Sequence, residues 1–270
     1  MGKDALGDRM KAYEGIEAKR QFEKGLPVMA RLDGRSFSTF TKNLERPFDL
    51  RFVNLMANTA EYVFAESNAV CAYVQSDEIS LLFYPEKEES EIIFNGRIFK
   101  MTSVLASMAS AYFNTKLSYW LPEKTSTLAH FDCRVWTVPD KQEATNVFVW
   151  RQLDCIKNSV ASKAQSVFSH KQLHKKHQGD MLTMLSEAAE PWEDLTEQLK
   201  YGTFFRKTKV YKTLSQEELE TLPEKHHARQ NPDLAFERTV VAQDYLPRLV
   251  DTPNRVEVVF NAASPIIEEV

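Results

Sequence analysis

Residues 70–74 and 79–84 are two short β-prone runs around the polar centre Gln75-Ser76-Asp77-Glu78, and the pattern reads as a β-hairpin. Acidic residues at a hairpin tip are also ordinary turn chemistry. A second strand ends the same way, however: residues 27–32 run straight into Asp33-Gly34-Arg35. Two strand ends, each delivering an aspartate, place Asp33 and Asp77 side by side if the strands are neighbours. Paired carboxylates repel unless a cation lies between them. A pair of Mg²⁺ ions, held by few protein ligands and by substrate phosphates, answers that requirement. Gly34 allows a close approach of the backbone, and its carbonyl is a hard oxygen ligand.

The rest of the composition narrows the field by exclusion. The chain has 270 residues, 43% hydrophobic and 27% charged, enough for a sizeable core and too ordinary for disorder. No apolar run approaches the ~18 residues of a membrane span, and residues 1–5 lack an apolar signal segment. Cys71, Cys133 and Cys155 form neither a metal spacing nor a disulfide framework, which suits a reducing, cytoplasmic setting. Net charge is −4, but the basic residues are clustered. Between Lys157 and Gln178 there is no acid, while Lys157, Lys163, Lys171, Lys175 and Lys176 fall there with His170, His174 and His177. A second run carries Lys200, Arg206, Lys207, Lys209 and Lys212. Local basic runs serve phosphate-backbone binding better than total charge does; the alternative is a solvated face. The histidines lack a carboxylate or cysteine to complete a zinc site.

In order along the chain, periodicity predicts helices over 4–24, 50–67 (capped by Asp49), 98–119 and 142–168, and another from Asp180. Strands are expected at 27–33, 70–84 (the hairpin), 130–138, 200–212 and 255–260. Residues 86–91 read as an acidic solvated loop. On the 98–119 helix, Arg97, Lys100, Ser103, Ser107, Ser110 and Asn114 fall on one stripe, suited to a triphosphate. No GxxxxGK[ST] or GxGxxG motif occurs. The order suits an α+β fold with a split β-α-β antiparallel sheet. It divides into a catalytic core (1–140), a helical basic part (141–215) and an extension (216–270).

Four segments then converge. Residues 31–37 (Arg-Leu-Asp-Gly-Arg-Ser-Phe), 75–80 (Gln-Ser-Asp-Glu-Ile-Ser), 131–135 (Phe-Asp-Cys-Arg-Val) and 150–154 (Trp-Arg-Gln-Leu-Asp) resemble the tRNA-histidine guanylyltransferase family, in order and spacing. The resemblance covers roughly residues 5–215. It implies a polymerase-palm-like core that adds nucleotides in the 3′-to-5′ direction to the 5′ end of tRNA. It implies two Mg²⁺ ions held by Asp33, Asp77 and the Gly34 carbonyl, with Glu78 a further catalytic acid. Arg46, Ser76 and Lys100, with Arg97 beside them, are implied contacts of a nucleotide triphosphate, and Thr41 and Asp49 lie near its base. Ser38 and Arg134 stand at further nucleotide positions. Where guanylyltransferases proper carry His-Ile-Asn-Asn, this chain has Ile156-Lys157-Asn158-Ser159. That departure, with residues 164–173 and 200–204, is similar to the bacterial guanylyltransferase-like branch. The implied activity there is templated repair of 5′-truncated tRNAs, using ATP, GTP and other NTPs, by a homotetramer. Arg151, Asn158, Lys163, Lys171, Lys175, Lys176, Lys207 and Lys209 are the candidate RNA contacts.

Two other functions fit parts of the pattern. A palm-fold nucleotide cyclase or cyclic-dinucleotide synthase also uses paired acids on a hairpin, but has no use for the basic half. A non-catalytic tRNA-binding module has no use for Asp33, Gly34, Asp77 and Glu78 together.

Overall fold

The structure is a computed structural model that describes residues 4–85, 90–231 and 233–267. The expected loop at 86–89 and the first three residues lie outside that range. In order, the elements are α1 (Ala5–Ala18), β1 (Val28–Gly34), α2 (Phe37–Phe40), α3 (Leu50–Ser67), β2 (Cys71–Gln75), β3 (Glu78–Phe83), α4 (Ile98–Trp120) and β4 (Phe131–Thr137). Then come α5 (Lys141–Val167), α6 (His170–Leu173), α7 (Gln178–Glu187), α8 (Glu197–Tyr201), β5 (Thr203–Thr213), α9 (Gln216–Thr221), α10 (His227–Gln230), β6 (Ala235–Asp244) and α11 (Arg255–Asn261).

The six strands form one antiparallel sheet in the order β4-β1-β3-β2-β5-β6, an α+β architecture. Residues of β2 and β3 are buried throughout, so both faces of the sheet centre are covered. One face carries Ala30, Leu32, Ile79 and Leu81 and packs on α3 and α4 through Leu55, Met56, Leu105, Ala109 and Phe113. The other carries Met29, Cys71, Tyr73, Leu82 and Phe204 and packs on α5 through Ala144, Phe148 and Cys155. The second half of α5 leaves the sheet and makes its own small core, with Val160 and Ala164 against Leu185 and Trp192.

Several expectations change. Residues 255–260 are not a strand but most of α11. Val258 and Val259 are buried in the cluster beneath α5, and that packing outweighs the β propensity of a Val-Glu-Val-Val-Phe run. The first helix ends at Ala18 and buries none of its residues. β6 was not anticipated: it is mostly exposed and pairs with β5 alone. The strand expected over 200–212 is present as β5, and it joins the sheet beside β2. Residues 246–260 fold back on α5. The Gln152 amide donates to the Pro247 carbonyl (3.1 Å) and accepts from the Leu249 N–H (2.7 Å).

Candidate active site at the strand ends

Strand pairing sets the geometry. Asp33 lies opposite Glu78 on one side and opposite Asp132 on the other. Directly opposed residues of a ladder point to the same face, so three carboxylates share one patch at the end of the sheet. The hairpin turn adds a fourth. Ser76 and Asp77 form a two-residue turn between the paired Gln75 and Glu78, with Ser76 in the left-handed region at φ 50°. The Gly34 N–H donates to the Asp77 carbonyl oxygen at 3.1 Å and ties the end of β1 to this turn. Gly34 has a packing reason to be glycine. A Cβ there would come 2.4 Å from the Phe37 ring, which lies among Phe40, Phe52, Phe113 and Phe131.

The four acids are not equivalent. Glu78 is buried and held by Arg151 (Nε to Oε1, 2.6 Å), with Arg31 at 3.8 Å. Both guanidinium groups lie over Trp150, at 4.5 and 5.5 Å from the ring centre. Asp132 has Arg134 at 3.7 Å, both exposed. Among the described residues, neither Asp33 nor Asp77 makes an ion pair. Burial, and after it the charge of Asp33, pushes the Asp77 carboxyl above the usual carboxylate range; a hydrogen bond from the Ser76 hydroxyl (3.1 Å) works against this. Burial raises Glu78 too, opposed by Arg151 and Arg31. No group of three or more His, Cys, Asp or Glu stands ready to enclose a metal among the described residues. The donor set still fits a divalent cation completed by other ligands. Two hard, uncompensated carboxylates adjoin the Gly34 backbone, and Mg²⁺ commonly takes one or two carboxylates plus phosphate oxygens.

Ser76 also lines a cleft of about 190 Å³. Leu44, Phe52, Met56 and Val74 give it an apolar floor, Thr41, Arg46 and Asp49 come from the segment entering α3, and Asn158, Ser159, Ser162 and Gln198 come from α5 and α8. Thr41, Arg46, Asp49, Ser76 and Asn158, distant in sequence, therefore meet. Asp49 is occupied there as the N-cap of α3: it accepts from the Arg51 N–H and guanidinium (2.7–3.0 Å), which holds its carboxyl below the usual range. Ser38 is exposed on α2, just past the end of β1.

Other candidates are placed elsewhere. The N-terminus of α4 sits where β1 begins, since Arg97 bridges to Gln21 and the Ile98 N–H donates to the Arg20 carbonyl. β1 then runs seven residues to Gly34, roughly 20 Å. Arg97 and Lys100 therefore do not join this cleft, and the Lys100 ammonium lies over Phe94 instead (4.9 Å). The expected triphosphate stripe of α4 also has structural work: Asn114 brackets Ala129 through both its N–H and its carbonyl (2.9 and 2.8 Å), and Ser110 accepts from the Phe131 N–H. Arg151, expected on RNA, is buried against Glu78 and also bonds Asp154 (3.0 Å). Lys163 is mostly buried and paired with Glu190. Lys207 bonds Asn68 and Lys209 pairs with Glu237 (2.9 Å), both bordering a second cleft with Lys141. Lys171, Lys175 and Lys176 are exposed.

Arg31 and Trp150 stand in the sequence segments above without a role assigned to either, and Gln198 is not among the expected residues. Arg31 had a signal, since it lies two residues before Asp33 on a strand and so faces the same way; Gln198 had none.

Comparison with known proteins adds a second line. Residues 7–139 match the family model described as tRNAHis guanylyltransferase. An uncharacterized protein, R259 of Acanthamoeba polyphaga mimivirus, is 30% identical over 76% of this chain and 77% of its own length. The tRNA(His) guanylyltransferase of Schizosaccharomyces pombe is 31% identical over 55% of this chain and 58% of its own. Against such curated guanylyltransferases the chain thus aligns with little more than half their length. A solved bacterial tRNA(His) guanylyltransferase-like protein in complex with ATP superposes with a TM-score of 0.77 at 31% identity, covering 95% of this chain and 99% of that one. Its counterpart in complex with GTP gives 0.70 at 29% identity, over 92% and 94%. No helix among the described residues is long and apolar enough to cross a membrane.

Proposed function

The chain belongs to the tRNA(His) guanylyltransferase family and is a nucleotidyltransferase, and on that premise we propose that it extends the 5′ end of truncated tRNA in the 3′-to-5′ direction, copying a template. The observation that carries the proposal is the pair Asp33 and Asp77 at neighbouring strand ends, neither in an ion pair among the described residues, next to the cleft that Ser76 shares.

Reverse extension needs an activated 5′ end, either a triphosphate or an adenylylated monophosphate. The 3′-hydroxyl of an incoming nucleotide attacks the 5′ phosphorus, and pyrophosphate or AMP leaves. Such transfers demand positioning and charge neutralisation above all. Asp33, Asp77 and the Gly34 carbonyl would hold two Mg²⁺ ions, whose chemistry when bound would be to acidify a hydroxyl and neutralise phosphate charge. Thr41, Arg46 and Ser76 surround the nucleotide. Arg134 stands ready for a second nucleotide at the outer strand. Glu78 has a positioning part, because it fixes Arg151 and draws on Arg31 across the ring of Trp150. Lys171, Lys175 and Lys176 hold the tRNA backbone. The assembly is a homotetramer acting in the cytoplasm; the particle mass in solution tests the first of these.

The direct test mixes the protein with a 5′-truncated tRNA, Mg²⁺, ATP and NTPs and follows 5′ growth. Asp77→Asn removes a metal ligand in a near-isosteric way, so extension should fall by more than the roughly 10- to 100-fold typical of losing a group that only supports a metal ligand, while tRNA affinity stays within a few-fold. Full activity in Asp77→Asn, or a cyclic product made from NTPs without RNA, overturns the proposal.

A further inference from the structure

Buried polar atoms without a partner are rare in folded chains, and each calls for an explanation: strain, a chemical role, or a water, ion or other group that binds there. Among the described residues only two such side-chain atoms occur, Arg31 Nε and Gln198 Nε2, and both lie at the candidate site. Arg31 at least has the Glu78 carboxylate nearby, at 3.8 Å. Gln198 is different. It lines the cleft beneath the Arg46 segment, on the short helix α8, and its amide nitrogen is enclosed without an acceptor.

Several other polar groups of the cleft are engaged. Ser159 Oγ accepts from the Trp192 indole (2.9 Å), the Asn158 amide turns to Asp154, and Asp49 is filled by Arg51. Opposite them the floor is apolar. A flat heteroaromatic ring suits such a floor, and it brings in-plane acceptors at its edge. The terminal amide of glutamine turns easily about its last bond, since that torsion has broad wells. An occupant with an acceptor therefore draws Nε2 out of its enclosure and into the cleft.

We propose that Gln198 reads the base of the nucleotide in this cleft by donating its amide N–H to a purine ring nitrogen. This builds on the nucleotide-binding reading above. An acceptor common to adenine and guanine would let this cleft take ATP and GTP alike, and the solved bacterial relatives are described in complex with one or the other.

The test compares ATP, 7-deaza-ATP, 3-deaza-ATP and tripolyphosphate by calorimetry on wild type and Gln198→Met. Methionine keeps the length of the side chain and removes the donor. Loss of one hydrogen bond predicts about a 3- to 10-fold weaker Kd for ATP, with tripolyphosphate unchanged. In wild type one of the two deaza analogues should lose a similar factor, and that analogue should lose nothing more in Gln198→Met. Gln198→Glu, which offers oxygens only, should weaken ATP at least as much and serves if the methionine variant folds poorly. Unchanged ATP affinity, an equal loss for tripolyphosphate, or losses that simply add for both analogues overturn the inference. Tight, base-dependent ATP binding by a wild-type protein that extends no tRNA would instead sink the activity proposed above and leave Gln198 in place.

Discussion

At the scale of single residues the site is an uneven sharing of charge. Arg151 and Arg31 serve Glu78, Arg134 stands by Asp132, and among the described residues Asp33 and Asp77 have no ion-pair partner, so the charge of one bears on the other. The sign of the resulting pH dependence follows. The folded state raises the Asp77 carboxyl above its ordinary value of 3.8 and Glu78 above 4.5. The folded chain then binds more protons than the unfolded one in the window above those values, and stability falls as pH rises through it. Asp77→Asn removes one of these groups. Its melting temperature should match wild type near pH 4 and exceed it towards neutrality, within the ~0.5–2 kcal/mol common for single stabilising substitutions. Mg²⁺ should raise wild type more than the variant. A variant less stable than wild type at pH 7, or an equal response to Mg²⁺, would argue that Asp77 is structural. Arg151 makes a companion case. Arg151→Met strands a buried carboxylate and should cost about 3–5 kcal/mol, and adding Glu78→Gln should recover much of that. None of this pairing was legible in the sequence, because Arg151 and Glu78 are 73 residues apart. The strand-end aspartates were legible, since an acid ending a β run keeps its meaning whatever the strand pairs with.

At the scale of elements, legibility followed how local the cause was. α3 was readable to its ends, 50–67, because Asp49 caps it and its apolar stripe meets the sheet without help from elsewhere. α11 was misread because its two buried valines take their instructions from α5, about a hundred residues earlier. β6 was missed because an exposed ribbon has little apolar alternation to betray it. On the polar stripe of α4, Asn114 and Ser110 turn to the chain that enters β4. Asn114 holds the approach to β4, and β4 carries Asp132 to its place opposite Asp33. Asn114→Ala should cost about 1–2 kcal/mol, the worth of two lost side-chain hydrogen bonds to backbone. Hydrogen exchange at residues 129–133 should quicken while α3 keeps its protection. Uniform loss of protection would mean that Asn114 supports the core as a whole and has no special hold on β4.

For the whole molecule, α5 supplies the direction. Its 27 residues span about 40 Å. Lys141 at its start lies over Tyr84 and Phe260, Arg151 meets Glu78 ten residues later, and Asn158 and Ser162 reach the cleft. Beyond that the helix delivers the chain to the exposed run containing Lys171, Lys175 and Lys176, on the acid end of the sheet. Lys207 and Lys209 belong with Lys141, at the other end. The two basic clusters look alike in sequence, and only the sheet register separates them. A tRNA whose 5′ end occupies the Asp33–Asp77 site should therefore use one cluster and ignore the other. Changing Lys171, Lys175 and Lys176 to Glu should weaken tRNA binding and flatten the dependence of log K on log salt by about 2–3, one lost phosphate contact per lysine. Changing Lys207 and Lys209 to Glu should leave that slope within about one of wild type. Equal effects from the two sets would mean that RNA wraps the sheet from end to end, and the acid end would lose its claim to be where the 5′ terminus is presented.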